Sequence, residues 1–178
     1  MSIEFEIEKS ALIDGIYILK PSVSEDLRGN IWTSFLKEDV EKLLPNGLSF
    51  KHDKFSESKH NVLRGIHGDS ASWKLVTCVF GEVHQVVADL RPTSHTFMKW
   101  QKFIINKSKQ CLILIPPGVG NAYYVSGANA VYHYKLAYNG DYIDAGDQFT
   151  YQWNDPSLGI DWPSKTPILS SRDSFVSG

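Results

Sequence analysis

A chain of 178 residues, 42% hydrophobic and 12% aromatic, carries enough apolar side chain to bury a core and too much to remain disordered. A net charge of −2 excludes general attraction to nucleic acid or to an anionic membrane, so a phosphate would have to be met by a local basic cluster. Residues 1–15 alternate acidic and apolar side chains and do not read as a secretory leader, and the longest apolar runs, such as Leu112–Ile115, are far too short to span a bilayer.

Along the chain, short apolar runs are broken by turn residues, which is the pattern of a β-sandwich or barrel. Strands are predicted over Gly15–Lys20 and Asn30–Leu36. A helix follows, in which Leu36, Val40, Leu43 and Leu44 share a face until Pro45 and Gly47 end it. Further strands are predicted over Val62–Ile66, Lys74–Phe80, Glu82–Asp89, Lys102–Ile105, Gln110–Ile115, Ala122–Val125 and Val131–Ala137. Gly81 reads as a tight hairpin, and Pro116-Pro117-Gly118 as a turn, since neither proline can donate to a ladder. A short helical or turn segment is predicted at Asp155–Leu158. Cys78 and Cys111 each sit in an apolar strand-like run and read as buried free thiols in a reducing, cytoplasmic compartment. There is no repeat, linker or low-complexity tract, so residues 1–178 read as one all-β domain with minor helices, a jelly-roll barrel being the natural architecture.

A barrel of this size can enclose a small-molecule pocket, so polar side chains on apolar strands are where chemistry is to be sought. His67, at the end of Val62–His67 and close to Arg64, suits a general base near an anionic ligand, or is a histidine satisfied by hydrogen bonds. In Val131–Leu136 the alternation sets Tyr132 and Tyr134 on one face and His133 and Lys135 on the other. Tyr134 can donate a proton into a barrel or simply pack there. Lys74 can meet an oxyanion or lie at a strand edge in solvent. Arg28, Lys54, Arg64 and Arg91 are candidates for a diphosphate. No histidine pair has metal-ligand spacing: His67 is followed by Gly68-Asp69, and His52, His60, His84, His95 and His133 are scattered, so no metal is expected. There is no Walker loop, GxGxxG or activated nucleophile signature.

Taken in order, these segments resemble the dTDP-4-dehydrorhamnose 3,5-epimerase family of cupins. The likeness runs over about residues 5–173, through Asp26-Leu27-Arg28-Gly29, Val62-Leu63-Arg64-Gly65-Ile66-His67, Lys74-Leu75-Val76, Gly81-Glu82-Val83, Ala88-Asp89-Leu90-Arg91 and Ile115-Pro116-Pro117-Gly118. It continues through Trp153-Asn154-Asp155-Pro156-Ser157-Leu158-Gly159-Ile160-Asp161-Trp162-Pro163 and Leu169-Ser170-Ser171-Arg172-Asp173. The resemblance implies a cupin-type jelly roll and a cofactor-independent, metal-free isomerase. It implies His67 as base with Asp173 behind it, Tyr134 as the opposing acid and Lys74 near the ketone oxygen. Arg64 would lie beside the substrate, Arg28, His52 and Lys54 at the nucleotide end, with Asn121 and Lys135 also binding substrate. It further implies a nucleoside-diphosphate sugar as ligand, a role in bacterial surface-polysaccharide synthesis, and a homodimer with an N-terminal strand possibly exchanged.

The chain also departs from the family pattern. Asn121 stands where the family usually has a histidine, His52 and Lys54 stand where it usually shows Gln and Asn, and the loop Gly68–Trp73 is short and lacks the common Gln. These departures leave open the nucleotide, a hexose or a heptose such as a GDP-linked 4-keto-6-deoxyheptose, and inversion at C3, C5 or both. A 3,4-ketoisomerase and a non-catalytic sugar-binding cupin are the rival readings.

Overall fold

The computed structural model describes residues 3–174. In chain order the elements are β1 (Phe5–Lys9), β2 (Tyr17–Pro21), β3 (Val23–Asp26), β4 (Gly29–Trp32) and α1 (Lys37–Val40), which runs into a 3-10 turn at Glu41–Leu43. They continue as β5 (Phe50–Lys59), β6 (Leu63–Gly68), β7 (Trp73–Phe80), β8 (Val83–Asp89), β9 (Trp100–Ile105) and β10 (Leu112–Ile115). The last are β11 (Val119–Val125), β12 (Asn129–Ala137), β13 (Phe149–Thr150) and α2 (Ser171–Ser174).

The strands form a six-stranded sheet, ordered β1-β2-β10-β7-β12-β5, facing a five-stranded sheet, ordered β13-β6-β11-β8-β9. This is the all-β, cupin-type jelly roll with minor helices that the sequence predicts. Val76, Ile113, Val87, Tyr123 and Tyr132 fill the space between the sheets. Each outer face is also covered. Val40 and Leu44 of the α1 region close over Leu75 and Leu114, while Trp153, Leu158 and Trp162 close over Val86 and Ala122. Sheets buried on both faces give the near-continuous apolar runs seen in β10 and β11.

Several elements differ from the expectation. The strand predicted to Leu36 stops at Trp32 and pairs with β3 in a separate hairpin whose turn is Asp26–Gly29. Asp155–Leu158, expected as helix or turn, takes the second form. Strands β1, β3, β5 and β13 lie outside the predicted ones. β5 is ten residues long yet almost wholly polar, FKHDKFSESK, so it lacks an apolar alternation to betray it. Cys78 is buried and Cys111 half-buried, both free, and burial lifts both thiols to about 11. No helix among the described residues is long and apolar enough to cross a membrane.

The irregularity that matters most lies where β6 pairs with β11. Asn121 opposes His67 and Tyr123 opposes Arg64, so three steps along β6 match two along β11. This β-bulge turns Arg64 and His67 to the same side, although strict alternation would separate them. Gly65 makes it feasible: its φ is +135°, and a Cβ there would lie 2.7 Å from Ala122 Cα and 2.9 Å from the Asn121 carbonyl. Gly65→Ala should lower the free energy of unfolding by more than about 2 kcal/mol, from combined backbone strain and overpacking, as read by urea denaturation.

Candidate active site

The bulge opens onto a cavity of about 270 Å³ between the two sheets. Its walls come from β5 (Lys54, Ser56), β6 (Arg64, His67), β7 (Lys74), β11 (Asn121) and β12 (Tyr134, Leu136). Tyr142, Ala145 and Gln148 of the loop after β12 join them, as do Ser170, Arg172 and Asp173 at α2. Seven of the eleven sequence-nominated residues thus meet in one place: His67, Tyr134, Asp173, Lys74, Lys54, Arg64 and Asn121.

His67 and Asp173 are in direct contact, Nε2 to Oδ1 at 2.5 Å, with the Asp173 side chain 2% exposed. A carboxylate only accepts, so Nε2 carries the proton and Nδ1 holds the lone pair. α2 brings Asp173 there: its N–H and that of Ser174 donate to the Ser170 carbonyl, which closes the single turn. Tyr134 stands on the other sheet. Its ring packs edge-on to Tyr132 at 4.7 Å, and Tyr132 stacks on Tyr123 at 4.1 Å. Burial, with Tyr123 beside it, pushes the Tyr134 phenol well above its ordinary range, so it stays protonated.

Lys74 is almost wholly enclosed. Burial pushes its ammonium below the ordinary lysine range, and Asp69 at 3.6 Å opposes that shift. Arg64 Nε donates to Ser58 Oγ at 2.9 Å. Lys54 Nζ donates to the Tyr142 hydroxyl at 2.7 Å and lies against that ring. Asn121 ends a chain of neutral bonds. The Tyr132 hydroxyl donates to Gln85 Oε1, and Gln85 Nε2 donates to Asn121 Oδ1 at 2.6 Å. With Oδ1 so occupied, the Asn121 amide keeps its Nδ2 donors for the cavity that it lines.

Four nominated residues lie elsewhere. Lys135 points out of the barrel, pairing with Asp53 at 2.8 Å and covering the Phe35 ring. Period-2 alternation next to inward Tyr134 requires this. On that face His133 also bonds Asp53, and although burial opposes it, the two partners hold the Asp53 carboxyl below its ordinary range. His52 faces inward but sits behind Tyr142, its ring 4.7 Å away, and does not line the cavity. Arg28 lies in the β3–β4 turn, clasping Asp26 with its side chain 91% exposed. Arg91, a diphosphate candidate, instead grips Asp89 through two bonds of 2.8 Å. Burial works against that carboxylate, yet Arg91, Ser94 and Thr96 hold it down to about 2.

Ser56, Gln85, Tyr142 and Arg172 carry no mark in the sequence that singles them out by residue type alone. Arg172 has a signal available, since it adjoins Asp173 in the closing motif. Among the described residues, no three His, Cys, Asp or Glu side chains converge to hold a metal ion. The assembled groups offer a basic imidazole nitrogen on one sheet, a protonated phenol on the facing sheet, and a buried ammonium in the same cavity. That set can move protons on and off a carbon acid while stabilising a developing oxyanion.

A family model described as dTDP-4-dehydrorhamnose 3,5-epimerase matches residues 10–177. The chain is 35% identical over 169 residues to a dTDP-4-dehydrorhamnose 3,5-epimerase of Salmonella typhimurium, spanning 93% of this chain and 90% of that protein. It is 30% identical over 164 residues to a dTDP-4-dehydrorhamnose 3-epimerase of Streptomyces niveus, spanning 90% and 78%. Among solved structures, dTDP-6-deoxy-D-glucose-3,5-epimerase from Legionella pneumophila, in complex with dTDP-4-keto-L-rhamnose, has a TM-score of 0.85 and 34% identity, over 96% of this chain and 90% of that one. A dTDP-4-dehydrorhamnose 3,5-epimerase from Bacillus anthracis, with TDP and PPi bound, has a TM-score of 0.86 and 28% identity, over 98% and 99%. A polar cavity inside this barrel, a family model spanning nearly the whole length and relatives at 30% and 35% identity converge on one conclusion: the chain belongs to the dTDP-4-dehydrorhamnose 3,5-epimerase family.

Proposed function

We propose that this epimerase inverts C3, C5 or both in a nucleoside-diphosphate-4-keto-6-deoxy sugar, by proton transfer next to the C4 ketone, in the synthesis of a bacterial surface polysaccharide. The observation that carries the reading is the Asp173-backed imidazole of His67 on one sheet, with the protonated Tyr134 on the sheet facing it across a single cavity.

His67 Nδ1 takes the proton from the carbon beside the ketone, and the electron pair moves onto the carbonyl oxygen as an enolate. Lys74 meets that charge where it develops, while Asp173 stabilises the imidazolium. Tyr134 then delivers a proton to the opposite face of the same carbon, and the configuration inverts. Exchange with water restores both groups. Asn121 supplies a neutral donor to the sugar. At about 270 Å³ the cavity falls below the roughly 300–1,000 Å³ of sites that enclose a drug-sized ligand. It therefore takes the sugar, and leaves the nucleotide at a mouth edged by Tyr142, Lys54 and Arg172. The Legionella pneumophila neighbour, described with a dTDP-linked keto sugar, supports a nucleotide-sugar substrate.

Inversion at one carbon has its own support. Asn121 cannot carry a proton at neutral pH, which leaves His67 as the one imidazole among the described residues that line the cavity, and the Streptomyces niveus relative is named as a 3-epimerase. We also propose a homodimer in the cytoplasm. Leu27 and Ile31 leave an apolar surface exposed on the β3–β4 hairpin, and Arg28 at its tip could reach a nucleotide only in a second copy's cavity. Sedimentation velocity should give twice the chain mass; a monomer at micromolar concentration overturns the dimer.

Incubation with a dTDP- or GDP-linked 4-keto-6-deoxy sugar in D2O, followed by NMR, tests the chemistry. Deuterium should enter at C3, C5 or both. A displaced carbonyl would indicate a 3,4-ketoisomerase, and no exchange a binding protein. His67→Asn should slow exchange about a hundredfold to ten-thousandfold. Tyr134→Phe should retain exchange while lowering inversion about a hundredfold; equal losses of both would remove Tyr134 from the acid role.

A further inference from the structure

We infer that Asp69 is a positioning residue for Lys74: its carboxylate keeps the buried ammonium charged and in place, yet leaves its N–H donors free for a ligand oxygen. The last clause rests on the function proposed above; the first stands on geometry alone.

The side chains of Lys74 and Asp69 are 8% and 2% exposed, and an ammonium taken so far out of water needs a countercharge. The other charged groups around the cavity do not provide one. Lys54 on β5 and Arg172 on α2 repel Lys74. Asp173, the one carboxylate among the described residues that line the cavity, is bonded to His67, and Tyr134 remains protonated. Asp69 is left.

Its two oxygens divide the work. Oδ1 accepts from the backbone N–H of Ala71 at 2.9 Å and of Ser72 at 2.6 Å, which folds the short loop back on itself. The Asp69 carbonyl accepts from Gly118 N–H at 2.8 Å and ties that loop to the Pro116–Gly118 turn. Oδ2 is buried without any hydrogen-bond partner, and it is the oxygen 3.6 Å from Lys74 Nζ. The loop therefore holds a fixed negative charge beside the lysine. At 3.6 Å the contact is longer than a well-formed hydrogen bond. The pairing is chiefly electrostatic, so at least two of the ammonium donors remain for a ligand.

The pair can be tested without substrate. Lysine labelled with ¹³C at Cε, assigned through Lys74→Met, reports the titration of Lys74 by NMR in the unliganded protein. Asp69→Asn and Asp69→Ser each keep an oxygen for the Ala71 and Ser72 N–H groups while removing the charge. In either variant, folded by circular dichroism, the Lys74 titration should move to lower pH than in the wild type, and Asp69→Glu should restore part of the difference. Superposable titration curves for wild type and both neutral variants overturn the inference. With a turning-over substrate, the alkaline fall of kcat/KM should set in at lower pH in both neutral variants than in the wild type, by about one to three pH units, as loss of a nearby opposite charge implies. Wild-type protein without any turnover would refute the proposed function, and the substrate-free titration alone would then decide whether Asp69 holds the charge on Lys74.

Discussion

The site depends on one extra residue in β6. Because Gly65 can take a positive φ and press against Ala122, Arg64 and His67 both reach the barrel interior. Without the bulge the imidazole would turn toward the face that Trp153 and Trp162 cover, away from Asp173 and from Tyr134. The same crossing sets Asn121 opposite His67 and Tyr123 opposite Arg64. Tyr123 in turn bonds Ser56 and Ser58 of β5, which tie the five-stranded sheet to the edge of the six-stranded one. A local backbone irregularity thus fixes the distance between the two walls that a proton-transfer reaction must bridge.

Charge inside the cavity is handled in two distinct ways. Where charge is needed it is paired: His67 with Asp173 and Lys74 with Asp69, each a buried carboxylate supporting a group that faces the ligand. Elsewhere the polarity is neutral, as in the run from Tyr132 through Gln85 to Asn121. Gln85 and Tyr132 are wholly buried, and an ionised group in their place would carry a desolvation cost that no nearby countercharge offsets. The neutral run fixes which way the Asn121 amide points, so a single strong orientation is obtained without adding a titrating group to the site.

The barrel was legible from periodicity, and the meeting of His67, Tyr134, Lys74 and Asp173 in one cavity from short motifs that resemble a known family. Apolar runs marked nine of the thirteen strands, while the bulge at Arg64-Gly65-Ile66-His67 shows only once β6 is paired with β11. Strand β5 was not legible, since both of its faces are polar: His52, Lys54, Ser56 and Ser58 turn inward toward the site, while Asp53 pairs with His133 and Lys135 outside. A functional strand loses the apolar signature by which strands are recognised. Lys135 was misplaced although its own alternation with Tyr134 excluded it. Gln85 could not be found, because its role exists only where β8 lies beside β11. Asp69 is legible only after the fold is known, when a loop aspartate five residues before Lys74 proves to be buried against it.

The pairing of one base with one acid limits what the enzyme can do in a single binding event. His67 and Tyr134 belong to opposite sheets, so in the roles proposed for them a carbon lying between would be deprotonated from one side and reprotonated from the other. C3 and C5 flank the same carbonyl, and the oxygen must remain near Lys74 for either proton to be acidic. A half-turn about the axis of that carbonyl would exchange the two flanks but also reverse the faces of the ring, setting the second hydrogen toward Tyr134 instead of His67. Two inversions by one pair therefore need the hydrogens at C3 and C5 on the same face, with the ring sliding in its own plane. Such a slide leaves the nucleotide-bearing end at the side of the cavity that Lys54, Tyr142 and Arg172 line.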